Sequence, residues 1–238
     1  MARKSTLIKL LTDLRAECRL SPSPAHNKQV RDTQVELLQR TQEWLWSDFS
    51  WPHLRVDRQI PVQSGQRYYT PPEDLDIERI EHIKFFDGVS WSFVRNGVGA
   101  EEYNCHNSDL DARSYPPRAW RLSEDDDIEL WPIPDRNADV ETRDGFLQFT
   151  GIRKLRPFVH DGDRADLDDR LITLFAAAEI LGAAGAKDAE IKMSQANKRY
   201  LRLRGQLSKK GSFQMFGVAS SRQPRVSHVG RYIRPVVN

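Results

Sequence analysis

The chain has 238 residues, of which 39% are hydrophobic and 29% charged, with a formal net charge of +2. That is enough apolar mass for one sizeable domain or two small ones, and it excludes a chain that is disordered throughout. Mean hydropathy is low, −0.64, and no run approaches the ~18 consecutive apolar residues that a membrane-crossing helix needs.

The first element in chain order is a helix over residues 5–18. Leu7, Leu10, Leu11, Leu14 and Cys18 fall at helical spacing, with Ser5 or Thr6 placed to cap the start. Ser21-Pro22-Ser23-Pro24 breaks it, and a second helix is expected from about Asn27 to Ser47. Val30, Gln34, Leu37, Leu38, Thr41, Trp44 and Leu45 form its stripe, so the two helices read as an αα-hairpin. Trp44, Trp46 and Trp51 cluster at its end and are expected to staple the helix to the β unit after it.

From Trp51-Pro52 to about residue 159 the signals are short strands and turns. Strands are expected at 54–60, 67–70, 77–86, 90–95 and 145–152. Residues 118–122 and 127–131 read as a hairpin around an acidic tip, and 96–117 as a long polar loop. Helical spacing returns after Asp161-Gly162-Asp163. Leu167, Leu171, Leu174, Phe175, Ala178 and Leu181 mark a third helix whose first turn is rich in Asp, which suits the positive end of a helix dipole. After Gly182 and Gly185 a fourth follows, with Met193, Ala196, Tyr200, Leu203 and Leu207 on its stripe.

The fold class expected is α+β. Residues 1–50 and 160–207 would form a four-helix bundle, with an inserted antiparallel β domain at 51–159 and an extended basic C-terminal arm at 208–238. The arm holds six Lys or Arg and no acid, so the first 207 residues carry 30 basic against 34 acidic side chains. Between Glu101 and Asp144 there are thirteen acidic residues against five arginines. An acidic middle and a basic end suggest that the end engages something other than its own body. The arm also carries Phe213, Met215, Phe216, Tyr232 and Ile233. Apolar residues of this kind suit a segment that orders on a partner's surface, although folding back on its own body stays open.

No constellation for catalysis emerges. Walker, G-x-S-x-G, H-E-x-x-H and paired C-x-x-C motifs are all missing from the sequence. The six histidines are scattered, and Cys18 and Cys105 have no neighbour at ligand spacing. Two lone thiols fit synthesis in a reducing cytoplasm. Asp161, Asp163 and Asp166 lack the glycine and the closing glutamate of a calcium loop. Neither an enzyme nor a cofactor or metal site is therefore expected.

Three segments resemble a known family. The first runs through Trp44-Leu-Trp46-Ser-Asp-Phe-Ser-Trp51 and on to Arg58-Gln-Ile-Pro-Val-Gln-Ser-Gly65-Gln-Arg-Tyr68-Tyr-Thr-Pro71-Pro-Glu-Asp74. The second is Pro116-Pro-Arg-Ala-Trp120-Arg-Leu122 with Ile128-Glu-Leu-Trp-Pro132-Ile-Pro134. The third is the alanine-rich helix Leu167 to Leu181 after its acidic lead. In order and spacing they are similar to the head-to-tail adaptor, or tail-accessory, proteins of tailed phages, best known from short-tailed ones.

The resemblance implies a structural virion protein in the neck between head and tail, made in the host cytoplasm. It implies a ring, usually of twelve copies, docked under the portal protein and above a tail or nozzle protein. The bore would continue the DNA channel, without sequence-specific DNA binding, and no membrane is involved. On this reading Phe213, Phe216, Arg222, Arg225, Arg231, Tyr232 and Arg234 would meet the portal or a neighbouring subunit. Glu124, Asp125, Asp126 and Asp127 would face the channel, where like charge keeps DNA sliding. A DNA-binding accessory role for the basic arm is the alternative.

Overall fold

A computed structural model describes residues 3–21, 28–107 and 110–207. The fold is α+β, with five α-helices and one seven-stranded sheet among these residues. In chain order the elements are α1 (Leu7–Glu17), α2 (Lys28–Asp48), a 3-10 turn (Pro52–Leu54), β1 (Arg55–Pro61), β2 (Tyr68–Tyr69), β3 (Leu75–Phe86), β4 (Trp91–Asn96) and α3 (Ala100–Cys105). Then come β5 (Ala119–Leu122), β6 (Ile128–Trp131), β7 (Phe146–Arg153), α4 (Asp169–Ala183) and α5 (Asp188–Leu207).

The sheet order is β1-β7-β3-β4-β5-β6-β2, so the last strand in sequence lies between the first and the third. Tyr69 on the β2 edge and Ile60 and Val56 on the β1 edge belong to one apolar cluster with Ile83, Phe85, Ile128, Leu130, Leu147 and Phe149. Edges of a flat seven-stranded sheet would lie roughly 29 Å apart. The sheet therefore curls around its own core. Gly151 permits the closest approach inside it. A Cβ there would lie 2.7 Å from the Arg79 carbonyl oxygen, where β3 shifts register against β7.

One pair departs from the all-antiparallel expectation. β4 and β5 run parallel, with Arg95 opposite Ala119 and Asn96 opposite Trp120. Parallel neighbours need a long crossover rather than a tight turn. Residues 97–118 provide it, and they contain α3 where a polar loop was expected.

In the helical layer α4 is the hub, and α1, α2 and α5 each pack against it. Leu171 to Ala178 are buried without interruption, the mark of a helix apolar all round. Its start is tied down by charge. Asp168 accepts the Leu171 N–H at 3.0 Å as N-cap and receives Arg199 through two bonds of 2.7 and 2.8 Å. Asp169 accepts the Ser5 hydroxyl at 2.6 Å, which fixes the approach to α1. Burial, reinforced by the Asp168 charge, pushes the Asp169 carboxyl up despite the Ser5 hydrogen bonds.

The sheet is fastened to the end of α2. Arg79 of β3 donates to the carbonyls of Trp46 and Ser47 at 2.7 and 2.5 Å, with its guanidinium 4.2 Å from the Trp46 ring. These are carbonyls in the last turn of α2, which have no intrahelical partner. The Trp46 indole donates to the Arg153 carbonyl at 3.1 Å, and the buried Trp51 indole to Leu45 at 2.8 Å. Trp46 and Trp51 are thus the staple expected of the tryptophan cluster. Trp44 is not part of it. It lies on the helical layer, 49% exposed, with its ring 5.2 Å from Phe175.

Candidate interaction surfaces

No three His, Cys, Asp or Glu side chains converge as a metal site among the described residues. The most conspicuous buried charge is Glu129 on β6, fully enclosed. Arg67 reaches it at 2.6 Å, Tyr103 donates to it at 3.0 Å, and Arg121 completes the set. Burial alone would raise this carboxyl, but the bonds from Arg121, Arg67 and Tyr103 together hold it below the usual carboxylate range. Arg67 in turn lies over the rings of Trp131 and Tyr103 at 5.1 and 5.7 Å. Every partner is a positioned structural group. The cluster joins the β2 edge, the crossover helix α3 and the β5–β6 hairpin.

The acidic run Glu124 to Asp127 forms the tip of the β5–β6 hairpin. Glu124, Asp125 and Asp126 are exposed there, and Asp126 adopts a φ of 63°. The Ser123 N–H donates to the Asp127 carbonyl at 2.8 Å and closes the turn. Phe213, Phe216, Arg222, Arg225, Arg231, Tyr232 and Arg234 lie outside the described residues.

Two apolar surfaces stand out that sequence periodicity does not single out. The first is a ridge on the outer face of β3 and β4. Residues alternate along β4, so Val94 is buried inside the curl while Trp91 and Phe93 face outward, 39% and 67% exposed. Trp91 packs on Phe86 at 5.0 Å. Phe93 packs on His82 at 5.4 Å and beneath the Lys84 ammonium at 5.1 Å. Burial, with the nearby Lys84 and Arg55 charges, holds the His82 imidazole below its ordinary value. Val89 in the connecting turn is almost bare. Exposed apolar clusters of this sort mark contact sites.

The second surface is a trough along the outward side of α4, between α2 and α5. Beyond Phe175 that side carries Ala178, Gly182 and Ala183, too small to fill the space between the flanking helices, and Glu179, which pairs with Arg40. Three depressions of about 530, 570 and 590 Å³ result. The first two share Arg40 and Glu179, and the first and third share Met193 and Asn197, so they are continuous. Trp44 and Met193 are the apolar walls at its centre. Both lie on stripes that the helical spacing assigns to the core. The stripes are wider than α4 can cover, and that excess width is the signal that could have exposed the trough.

Comparison with known families gives a match to the SU10 adaptor protein over residues 5–224. No curated protein matches the sequence.

Proposed function

The chain belongs to the SU10 adaptor protein family, phage head-tail adaptors that are structural proteins rather than enzymes, and from this premise we propose that it forms a ring in the neck of the virion. The ring, of about twelve copies as the resemblance implies, joins the portal protein to a tail or nozzle protein and continues the DNA channel for genome retention and ejection. The observation that carries this reading is the family match across nearly all of the chain. The surfaces support it. A ring subunit needs apolar faces for different neighbours rather than an enclosed pocket, and the β3–β4 ridge and the α4 trough are two such faces.

In this proposal residues 1–50 and 160–207 act together as a four-helix bundle domain carrying the inserted β domain 51–159. The arm 208–238 engages the portal or an adjacent copy through Phe213, Phe216, Tyr232 and Arg222, Arg225, Arg231 and Arg234. Glu124, Asp125, Asp126 and Asp127 face the channel and repel the DNA phosphates. The test is co-sedimentation of the full chain with the portal ring of the same phage. Co-sedimentation at a fixed stoichiometry, visible as an added ring by electron microscopy, is the expected result. A chain that stays in the supernatant overturns the reading.

The excess of basic residues in the arm favours one second reading, a DNA-binding accessory protein. Its signature is DNA affinity that falls steeply between low and moderate salt. Absence of binding at low salt dismisses it.

A further inference from the structure

We propose that the trough along α4 is the receptor for residues 209–216 of a second copy of this chain, so that neighbouring subunits are linked by a segment laid across the helical layer. The proposal deepens the adaptor reading and rests on it for the presence of neighbours.

The shape of the trough selects an elongated occupant. One lobe lies between α2 and α4 with Phe158 beside it, another between α4 and α5 with Leu201, and the lobe lined by Trp44, Phe175 and Met193 joins them across α4. A single strand of chain laid across α4 can enter all three lobes. Helix-lined grooves of this kind take peptides through a few apolar anchors. The sequence Lys209-Lys-Gly-Ser-Phe213-Gln-Met-Phe216 carries three, Phe213, Met215 and Phe216, within four residues. Trp44, Phe175 and Met193 offer the aromatic and thioether surface that would receive them.

Charge agrees with shape. Four acidic residues line the three lobes, Glu36, Glu43, Glu179 and Glu190, against two basic ones, Arg40 and Lys198. Arg40 is occupied by Glu179. Glu36 and Glu43 have no ion pair among the described residues, and both are exposed on the wall formed by α2. Lys209 and Lys210 are the cations that match them. The wider segment 208–238 brings no Asp or Glu that would oppose the fit.

Length agrees as well. α5 ends at Leu207, and an extended chain places Phe213 to Phe216 roughly 20–30 Å beyond it. That span is suited to reaching the next subunit in a ring. The family match extends to residue 224, so this segment lies within the part of the chain that the family shares, whereas 225–238 lies beyond it.

The experiment uses the full chain. Phe216 is replaced by the photoreactive p-benzoylphenylalanine, which keeps the ring. This protein is mixed with uniformly ¹⁵N-labelled wild type, incubated with and without the portal ring of the same phage, and irradiated. Mass spectrometry of the cross-linked peptides then reads which copy and which surface was touched. The expected product joins the unlabelled residue-216 peptide to a labelled peptide from α2, α4 or α5 that lines the trough. Met193→Asp in the labelled partner should lower that product about tenfold, while leaving the circular dichroism spectrum unchanged, because Met193 is already 41% exposed. Cross-links only to the portal, only within the unlabelled chain, or to a labelled surface away from the trough overturn the proposal. Failure to co-sediment with the portal is scored separately and counts against the adaptor reading, so the two fail in distinguishable ways.

Discussion

The helical layer gathers its apolar residues around one central helix, while the sheet gathers them inside its own curl. The consequence lies in the surface each leaves uncovered. A curled sheet has an inside and an outside, and alternation along β4 sorts Val94 from Trp91 and Phe93 cleanly. A helix on a hub is sorted by angle, and any apolar residue beyond the contact angle stays in solvent, as Trp44 and Met193 do. Charge obeys the same division. The sheet buries one carboxylate, Glu129, among two arginines and a tyrosine. The helical layer instead places Asp168 and Asp169 together at the start of α4 and satisfies them from α5 and from Ser5.

The largest effect that would sharpen this comparison is a cavity made in each core. Phe149→Ala inside the curl and Leu171→Ala in α4 remove side chains with no exposed surface. Each should cost about 3–4 kcal/mol. If the two regions share one cooperative unit, urea unfolding followed by tryptophan fluorescence and by helical circular dichroism will shift together in both variants. Separate shifts would divide the chain into two folding units.

Next in size is Glu129→Gln, which leaves Arg67 and Arg121 facing a neutral group at a buried site. A loss of about 3 kcal/mol is expected. A midpoint unchanged in urea would mean that the arginines simply turn outward to water.

A smaller effect separates the two regions by sign. The Glu129 carboxyl is held below its unfolded value. Its contribution is present above the unfolded value, near 4.5, and is lost as pH falls through the lower folded value. The Asp169 carboxyl is raised above 3.8. Its contribution is present below 3.8 and is lost as pH rises through the raised folded value. Glu129→Gln should therefore flatten the acid side of the stability profile, and Asp169→Asn should remove a loss that wild type suffers on going from acid towards neutral pH. Stability in urea measured across roughly pH 2–6 for the two variants checks both signs. Like-signed changes would break the comparison.

The smallest effect on stability is expected from neutralising the tip with Glu124→Gln, Asp125→Asn and Asp126→Asn, all exposed. The melting midpoint should not move. In particles, the same change should slow DNA ejection if the tip lines the channel. Ejection at the wild-type rate would place the tip elsewhere.

Much of the fold could be read in the sequence because its local signals agree. α1, α2 and α4 are legible in leucine spacing, and the β5–β6 hairpin in two short apolar runs around an acidic turn. The parallel pairing of β4 with β5 could not be read, because it depends on where residues 97–118 lead the chain and not on either strand. α3 is only six residues long, too short to show a period. Its Gly99 start carries no side-chain signal, though Glu102 returns to the Gly99 N–H at 2.9 Å. The exposed apolar surfaces were hidden for a different reason. Periodicity tells which residues are apolar on a face, and not whether a neighbour is broad enough to cover them. Trp44 therefore reads as core from sequence and stands half exposed in the fold.

The bonds from Arg79 to the last carbonyls of α2 also bear on mechanics. β3 runs from that anchor, past its register shift at Ile80, to the ridge at Phe86, so the same strand carries the anchor and the ridge. The strand cannot slide without stretching the Arg79 bonds at the foot of α2. This guanidinium acts as a rivet between the curled sheet and the helical layer.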